Sequence, residues 1–126
     1  MLKHIDTIII GGGQAGLSTS YYLKKQDQHH IIFEKANQPA QVWRDRWDSF
    51  TLITPNRMIR LPGASYSGDE PDGFMSKDEI VGYFENYIKQ HQLPIRYGIQ
   101  VKSVVRQRNV YIVKTSEEEF KASNVV

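Results

Sequence analysis

Two places in this sequence combine residue type and spacing in a way that points to chemistry. The first is Gly11-Gly12-Gly13-Gln14-Ala15-Gly16, which fits G-x-G-x-x-G through Gly11, Gly13 and Gly16. The second is Glu34, 23 residues after Gly11. In such a pattern the first glycine allows a sharp turn out of a strand. The second lets a pyrophosphate approach the backbone, and the third lets a helix pack close to a sheet. The start of that helix presents unpaired N–H groups and about half a positive charge to the phosphates. A carboxylate about 20 residues further on accepts hydrogen bonds from ribose hydroxyls and repels a 2′-phosphate. The spacing therefore favours the adenosine of FAD or NAD over that of NADP. The competing reading is a structural glycine turn with an ordinary surface glutamate, and only context separates the two.

That context is a βαβ unit. Ile5 to Ile10 is β-branched and nearly all apolar, without alternation from Thr7 onward, as in a strand buried on both faces. The three glycines end it. Gln14 to Gln26 reads as a helix with Ala15, Leu17, Tyr21, Tyr22 and Leu23 as its apolar stripe. After a turn at Asp27-Gln28, His30 to Glu34 is a second apolar strand, with Glu34 at its end.

The stretch 36–75 reads differently. It holds four of the five prolines, both tryptophans (Trp43 and Trp47) and Arg44, Arg46, Arg57 and Arg60. It reads as a long functional loop, with one short strand at Phe50–Ile53. Ser76-Lys77-Asp78-Glu79 is a capping box, with Met75 and Ile80 as the flanking staple. The helix it opens runs to about His91, carries Ile80, Tyr83, Phe84, Tyr87 and Ile88 on one face, and is stopped by Pro94. Then come Ile95–Tyr97 and an antiparallel meander over 101–122: Val101–Arg106, Val110–Lys114 and the short strand Phe120–Ala122. Asn124-Val125-Val126 begins a further strand.

Composition removes other classes of function. With 40% hydrophobic and 24% charged residues the chain is globular in character, not disordered. Sixteen Lys+Arg against 14 Asp+Glu leave a net charge of +2, too small to indicate nucleic acid. Asp45 and Asp48 also interrupt the arginine-rich segment. There is no cysteine, hence no disulfide framework, thiolate metal site or dithiol within the chain. His4, His29, His30 and His91 lack metal-ligand spacing and read as structural or solvated, so no metal is expected. No apolar run is long enough for a signal core or membrane span, which makes a cytoplasmic location the default.

The segments Ile8–Leu17 and Ile32-Phe33-Glu34-Lys35 resemble the FAD fingerprint of flavoproteins with two dinucleotide-binding domains. Trp43–Phe50, Thr54-Pro55-Asn56-Arg57 and Leu61-Pro62-Gly63 resemble the flavin-containing monooxygenase-like branch, although Gln41-Val42 stands where that branch often has glycines. The resemblance spans the chain. It implies an α/β fold: a Rossmann-like FAD-binding domain with a parallel sheet, plus an antiparallel meander, truncated at the C-terminus. It implies that Gly11, Gly13, Gln14, Ala15 and Gly16 hold the FAD pyrophosphate and that Glu34 binds the ribose, with Lys35 beside it. Trp43 and Arg44 would line the flavin side, and the Val101 backbone would contact adenine. An asparagine lies near the flavin ring in some relatives, which would place Asn56 there. Trp43 and Trp47 keep a second reading as core or interface anchors.

The resemblance further implies an NAD(P)H-dependent oxidoreductase. NADPH or NADH would reduce the flavin, and oxygen would add at C4a. The resulting hydroperoxide would pass one oxygen atom to a small-molecule substrate. Glutathione-reductase-type enzymes carry a redox dithiol soon after the ribose-binding acid, and the cysteine-free sequence does not fit them. The alternative from another class is a non-catalytic NAD(H)-binding Rossmann module. Residues 1–126 are thus expected to be an incomplete FAD-binding domain, inactive alone because the nicotinamide-binding domain is missing. Val125-Val126 would begin a parallel strand beside Thr7–Ile10, cut off after two or three residues. The apolar edge so exposed would favour association between copies.

Overall fold

The computed structural model describes residues 2–126. Strand β1 (Lys3–Ile10) leads through the glycine turn into helix α1 (Gln14–Lys25) and then strand β2 (His30–Glu34). β1 and β2 pair in parallel, Thr7 opposite His30 and Ile10 opposite Phe33. Ile8, Ile9, Ile32 and Phe33 are almost fully buried, as unbroken apolar runs in a parallel sheet should be. Strand β5 (Ile95–Tyr97) adds in parallel to the other side of β2.

The rest of this sheet is the meander: β6 (Val101–Gln107), β7 (Val110–Thr115) and β8 (Glu119–Val125). The six strands run in the order β5-β2-β1-β8-β7-β6. A two-residue turn, Arg108-Asn109, joins β6 to β7, with Arg108 at φ 60°. β8 is one continuous strand and not the two pieces the sequence suggested. Its first residues pair antiparallel with β7, while Phe120 to Val125 pair in parallel with β1 from Lys3 to Ile8. The polar pair Ser123-Asn124 does not break it, because Asn124 Nδ2 donates to the Asp6 carbonyl at 3.4 Å. Val126 continues the ladder, its N–H donating to Ile8 O and its carbonyl accepting from Ile10 N, both at 2.9 Å. The β8 side of β1 is therefore covered along its length, contrary to the expected exposed edge. Ile5, Ile8, Phe33, Ile99, Val113, Phe120 and Ala122 form the core of this region. Phe33 and Phe120 meet at 5.0 Å between ring centroids, although β1 lies between their strands.

Contacts divide the chain into two compact units: residues up to Gln38 with Leu93–Val126, and Pro39–Gln92. The second unit replaces the expected long loop with short elements. These are α2 (Gln41–Arg44), a 3-10 turn (Asn56–Met58) and the two-residue strands β3 (Arg60–Leu61) and β4 (Ala64–Ser65); the expected helix, α3 (Lys77–His91), completes the unit. Phe50–Ile53 is not a strand. Only Thr51 forms a bridge, to Ser76, and Ile53 is 94% exposed, so no buried face holds that stretch extended. α3 has the capping box read from the sequence: Ser76 Oγ accepts from Glu79 N, and Glu79 Oε1 accepts from Ser76 N, both at 3.2 Å. Two tyrosines one turn apart on α3 hold the β3–β4 hairpin. Tyr83 Oη accepts from Leu61 N and donates to Ala64 O, and Tyr87 Oη donates to Pro62 O. Among the described residues no helix is long and apolar enough to cross a membrane.

Candidate functional site: the glycine turn and Glu34

The turn after β1 needs glycine first at Gly11, where φ is +100°, a conformation that other residues reach only with strain. Its N–H donates to Phe33 O at 2.9 Å, which fastens the turn to the end of β2. A side chain at Gly16 would overlap the Gly11 carbonyl oxygen, so the third glycine of the motif permits α1 to lie against the turn. Gly13 behaves oppositely: a Cβ built there meets nothing within 4 Å. Gly13, Gln14 and Ala15 are exposed, while Gly12 and Gly16 are buried. The second motif glycine thus faces open space.

Gly13 is the N-cap of α1 and offers no side-chain cap, and the first turn contains no acidic residue. The Gly13 carbonyl accepts the first intrahelical bond, from Leu17 N at 2.9 Å. The N–H groups of Gln14, Ala15 and Gly16 have no partner within the helix, and no acidic residue of that turn faces the positive end of its dipole. On the opposite face of α1 the buried residues are Gly16, Leu17 and Ser20. The expected apolar stripe is narrower than the sequence suggested, because Tyr22 is 53% exposed. A polar contact replaces it. Ser20 Oγ lies 2.7 Å from His30 Nε2, and His30 Nδ1 lies 2.8 Å from the Gln28 carbonyl. That carbonyl can only accept, so Nδ1 carries a proton, and in the neutral imidazole Nε2 accepts from the Ser20 hydroxyl. This buried pair joins α1 to β2.

Glu34 is held by two backbone donors. Oε1 accepts from Gly12 N at 2.9 Å and Oε2 from Ala36 N at 2.7 Å. A carboxylate has about four lone-pair positions, so about two remain to accept further hydrogen bonds. The acid and the glycine turn are thus one assembly, which the motif alone did not reveal. Gly12 belongs to it as well: a Cβ there would stand 2.6 Å from Ile95 Cδ1 and 3.5 Å from Glu34. The return segment after β5 completes the assembly, with Ile99 N donating to Glu34 O at 3.0 Å and Gly98 N to Ala36 O at 2.9 Å. Nothing in the sequence pattern singled out Gly12, Ile95 or Gly98.

Of the other residues named from the sequence, Lys35 follows Glu34 and is exposed, and Val101 opens β6 two residues after Ile99, half-buried against the core. Trp43 and Arg44 belong to the second unit. There Trp43 packs on Phe50, and the Arg46 guanidinium lies 5.8 Å from the Trp43 ring and 5.5 Å from the Phe50 ring. Arg44 donates to Pro39 O and pairs with Glu85 at 2.9 Å. Asn56 is buried in the same unit, its Nδ2 donating to Glu70 O, while Oδ1 has no partner among the described residues.

Residues 8–126 match the pyridine nucleotide-disulphide oxidoreductase family. Among curated proteins, the "uncharacterized oxidoreductase CzcO" of Bacillus subtilis is 44% identical over 121 residues, covering 96% of this chain and 35% of that protein. Among solved structures, the flavin-containing monooxygenase from Stenotrophomonas maltophilia superposes with a TM-score of 0.89 at 25% identity, covering 98% of this chain and 38% of that one. Cyclohexanone monooxygenase from Rhodococcus sp. Phi1, bound to NADP+, superposes at 0.83 with 24% identity, covering 99% of this chain and 25% of that one. That last likeness speaks for the fold alone. The resemblance to flavin-containing monooxygenase-like flavoproteins is borne out, and the chain spans about a third of the length of the curated relatives it matches.

Proposed function

The chain belongs to the pyridine nucleotide-disulphide oxidoreductase family, and from that premise we propose that it binds FAD as the cofactor-holding part of an NAD(P)H-dependent, monooxygenase-like oxidoreductase. The observation that carries the reading is the pairing of an open Gly13 and uncapped helix start with a Glu34 carboxylate already oriented by Gly12 and Ala36. The N–H groups from Gly13 to Gly16 bind the pyrophosphate. Glu34 accepts from the adenosine ribose and repels a 2′-phosphate. Lys35, Val101, Trp43 and Arg44 are proposed as further cofactor contacts. Bound FAD would supply electron transfer and oxygen activation, while the protein supplies position and keeps water out.

Two observations favour FAD over a bare NAD(H) module. The meander and the 39–92 unit go beyond what a minimal βαβ dinucleotide site needs. The similar solved structures also include flavin-containing monooxygenases. The matching family, described as pyridine nucleotide-disulphide oxidoreductase, supports a nicotinamide as the reductant of the whole protein. A small-molecule substrate and a cytoplasmic location complete the proposal. The test is reconstitution of the purified chain with FAD or NAD, followed by desalting. Retained flavin absorbance supports the reading, whereas retention of NAD without FAD overturns it in favour of the non-catalytic module.

A further inference from the structure

Glu34 has its carboxylate held from one side by the glycine turn, through Gly12 N, and its own strand end held from the other side by residues 98 and 99. Gly98 stands at φ +73°, the left-handed region. A Cβ there would lie 3.1 Å from Asn37 Oδ1, a tight approach to the segment that carries the acid. Its N–H donates to Ala36 O, and the next N–H, of Ile99, donates to Glu34 O. Ala36 N in turn donates to Glu34 Oε2 at 2.7 Å. Residues 34, 36, 98 and 99 therefore form a closed ring of hydrogen bonds, and its geometry depends on residue 98 staying left-handed. An L-residue with a side chain is strained in that conformation. It would relieve the strain by leaving it, at the expense of the bonds to Ala36 and Glu34.

We infer that Gly98 is a positioning residue for the adenosine end of the dinucleotide: it sets the Glu34 carboxylate through the backbone of Glu34–Ala36 and does not touch the ligand itself. The inference rests on the proposed dinucleotide site and assigns a role to a residue outside its motif. It explains why the segment after β5 turns back sharply over the end of β2 before entering β6.

The test is a double-mutant cycle on the chain, with ADP as the probe. ADP carries the ribose and pyrophosphate without a flavin. Gly98→Ala is expected to weaken ADP binding by about tenfold, the equivalent of roughly 1.4 kcal/mol. Glu34→Gln should weaken it at least as much. The double variant should bind no more weakly than Glu34→Gln alone, since both changes disable the same carboxylate. Gly98→Asn, which tolerates the left-handed region better, should retain more affinity than Gly98→Ala and replaces it in the cycle if the alanine variant does not fold. Additive losses, or a Gly98→Ala variant that binds ADP like the unmodified chain, would overturn the inference while leaving the dinucleotide site standing. Failure of the unmodified chain to bind either ADP or FAD would overturn both.

Discussion

The Glu34 carboxylate accepts a hydrogen bond at 2.9 Å from the amide of Gly12, 22 residues earlier in the chain. The residue proposed to read a ribose therefore also closes the turn proposed to hold the pyrophosphate. Changing one should disturb the other. Glu34→Gln keeps the size but turns one acceptor into a donor facing a backbone N–H. Hydrogen bonds to a charged group contribute about 1.5–3 kcal/mol. Glu34→Gln is thus expected to lower the stability of the ligand-free chain by about 1–3 kcal/mol, besides weakening adenosine binding. Urea unfolding of the chain without ligand checks this, and an unchanged midpoint would make Glu34 a binding residue only.

The glycines of the motif separate a structural role from a ligand-binding role. At Gly16 a side chain has nowhere to go, and Gly16→Ala should destabilise by about 1–3 kcal/mol or more, as overpacked positions do. At Gly13 a methyl group meets nothing within 4 Å, so Gly13→Ala should leave the unfolding curve nearly unchanged while reducing FAD affinity. Parallel unfolding and flavin titrations of the two variants check the contrast. Equal effects on both properties in both variants would remove the argument for Gly13 as the point of pyrophosphate approach.

The Ser20–His30 pair is buried at both ends. Ser20→Ala removes the donor and leaves His30 Nε2 without a partner, at a cost of about 1–3 kcal/mol. Thermal unfolding at neutral pH reads the loss. The change should leave the meander intact, because neither residue belongs to its core.

At the β6–β7 turn, Arg108 holds φ 60° in the first loop position. A glycine in its place would remove a left-handed penalty of about 1 kcal/mol, offset in part by the greater freedom of glycine in the unfolded chain. Arg108→Gly should therefore stabilise slightly, by a few tenths of a kcal/mol, roughly the left-handed penalty less the glycine cost. A lower unfolding midpoint for this variant would show that the turn depends on the arginine side chain.

Much of this molecule follows from local sequence rules. The apolar runs gave β1 and β2, and Ser76 with Glu79 marked the start of α3, because each signal depends on neighbours a few residues away. Gly11, Gly13 and Gly16 were legible for the same reason. What escaped depends on long-range pairing. The continuity of β8 through Ser123-Asn124 requires β1 as partner, more than a hundred residues earlier. The role of Gly12 requires Ile95, and that of Gly98 requires Asn37 and Ala36. The 39–75 part of the second unit escaped because its elements are very short. They are held by side chains such as Tyr83 and Lys77, whose Nζ donates to the Arg44 and Arg46 carbonyls, and not by a hydrophobic period.

The central claim is that the open glycine turn and Glu34 together receive the pyrophosphate and ribose of FAD. The most direct measurement is a backbone amide NMR titration of the chain with FAD. The largest shifts are expected at Gly13, Gln14, Ala15 and Gly16, with accompanying shifts at Gly12 and Ala36, whose amides report on the Glu34 carboxylate. Saturable FAD binding that leaves those amides unmoved would contradict the claim.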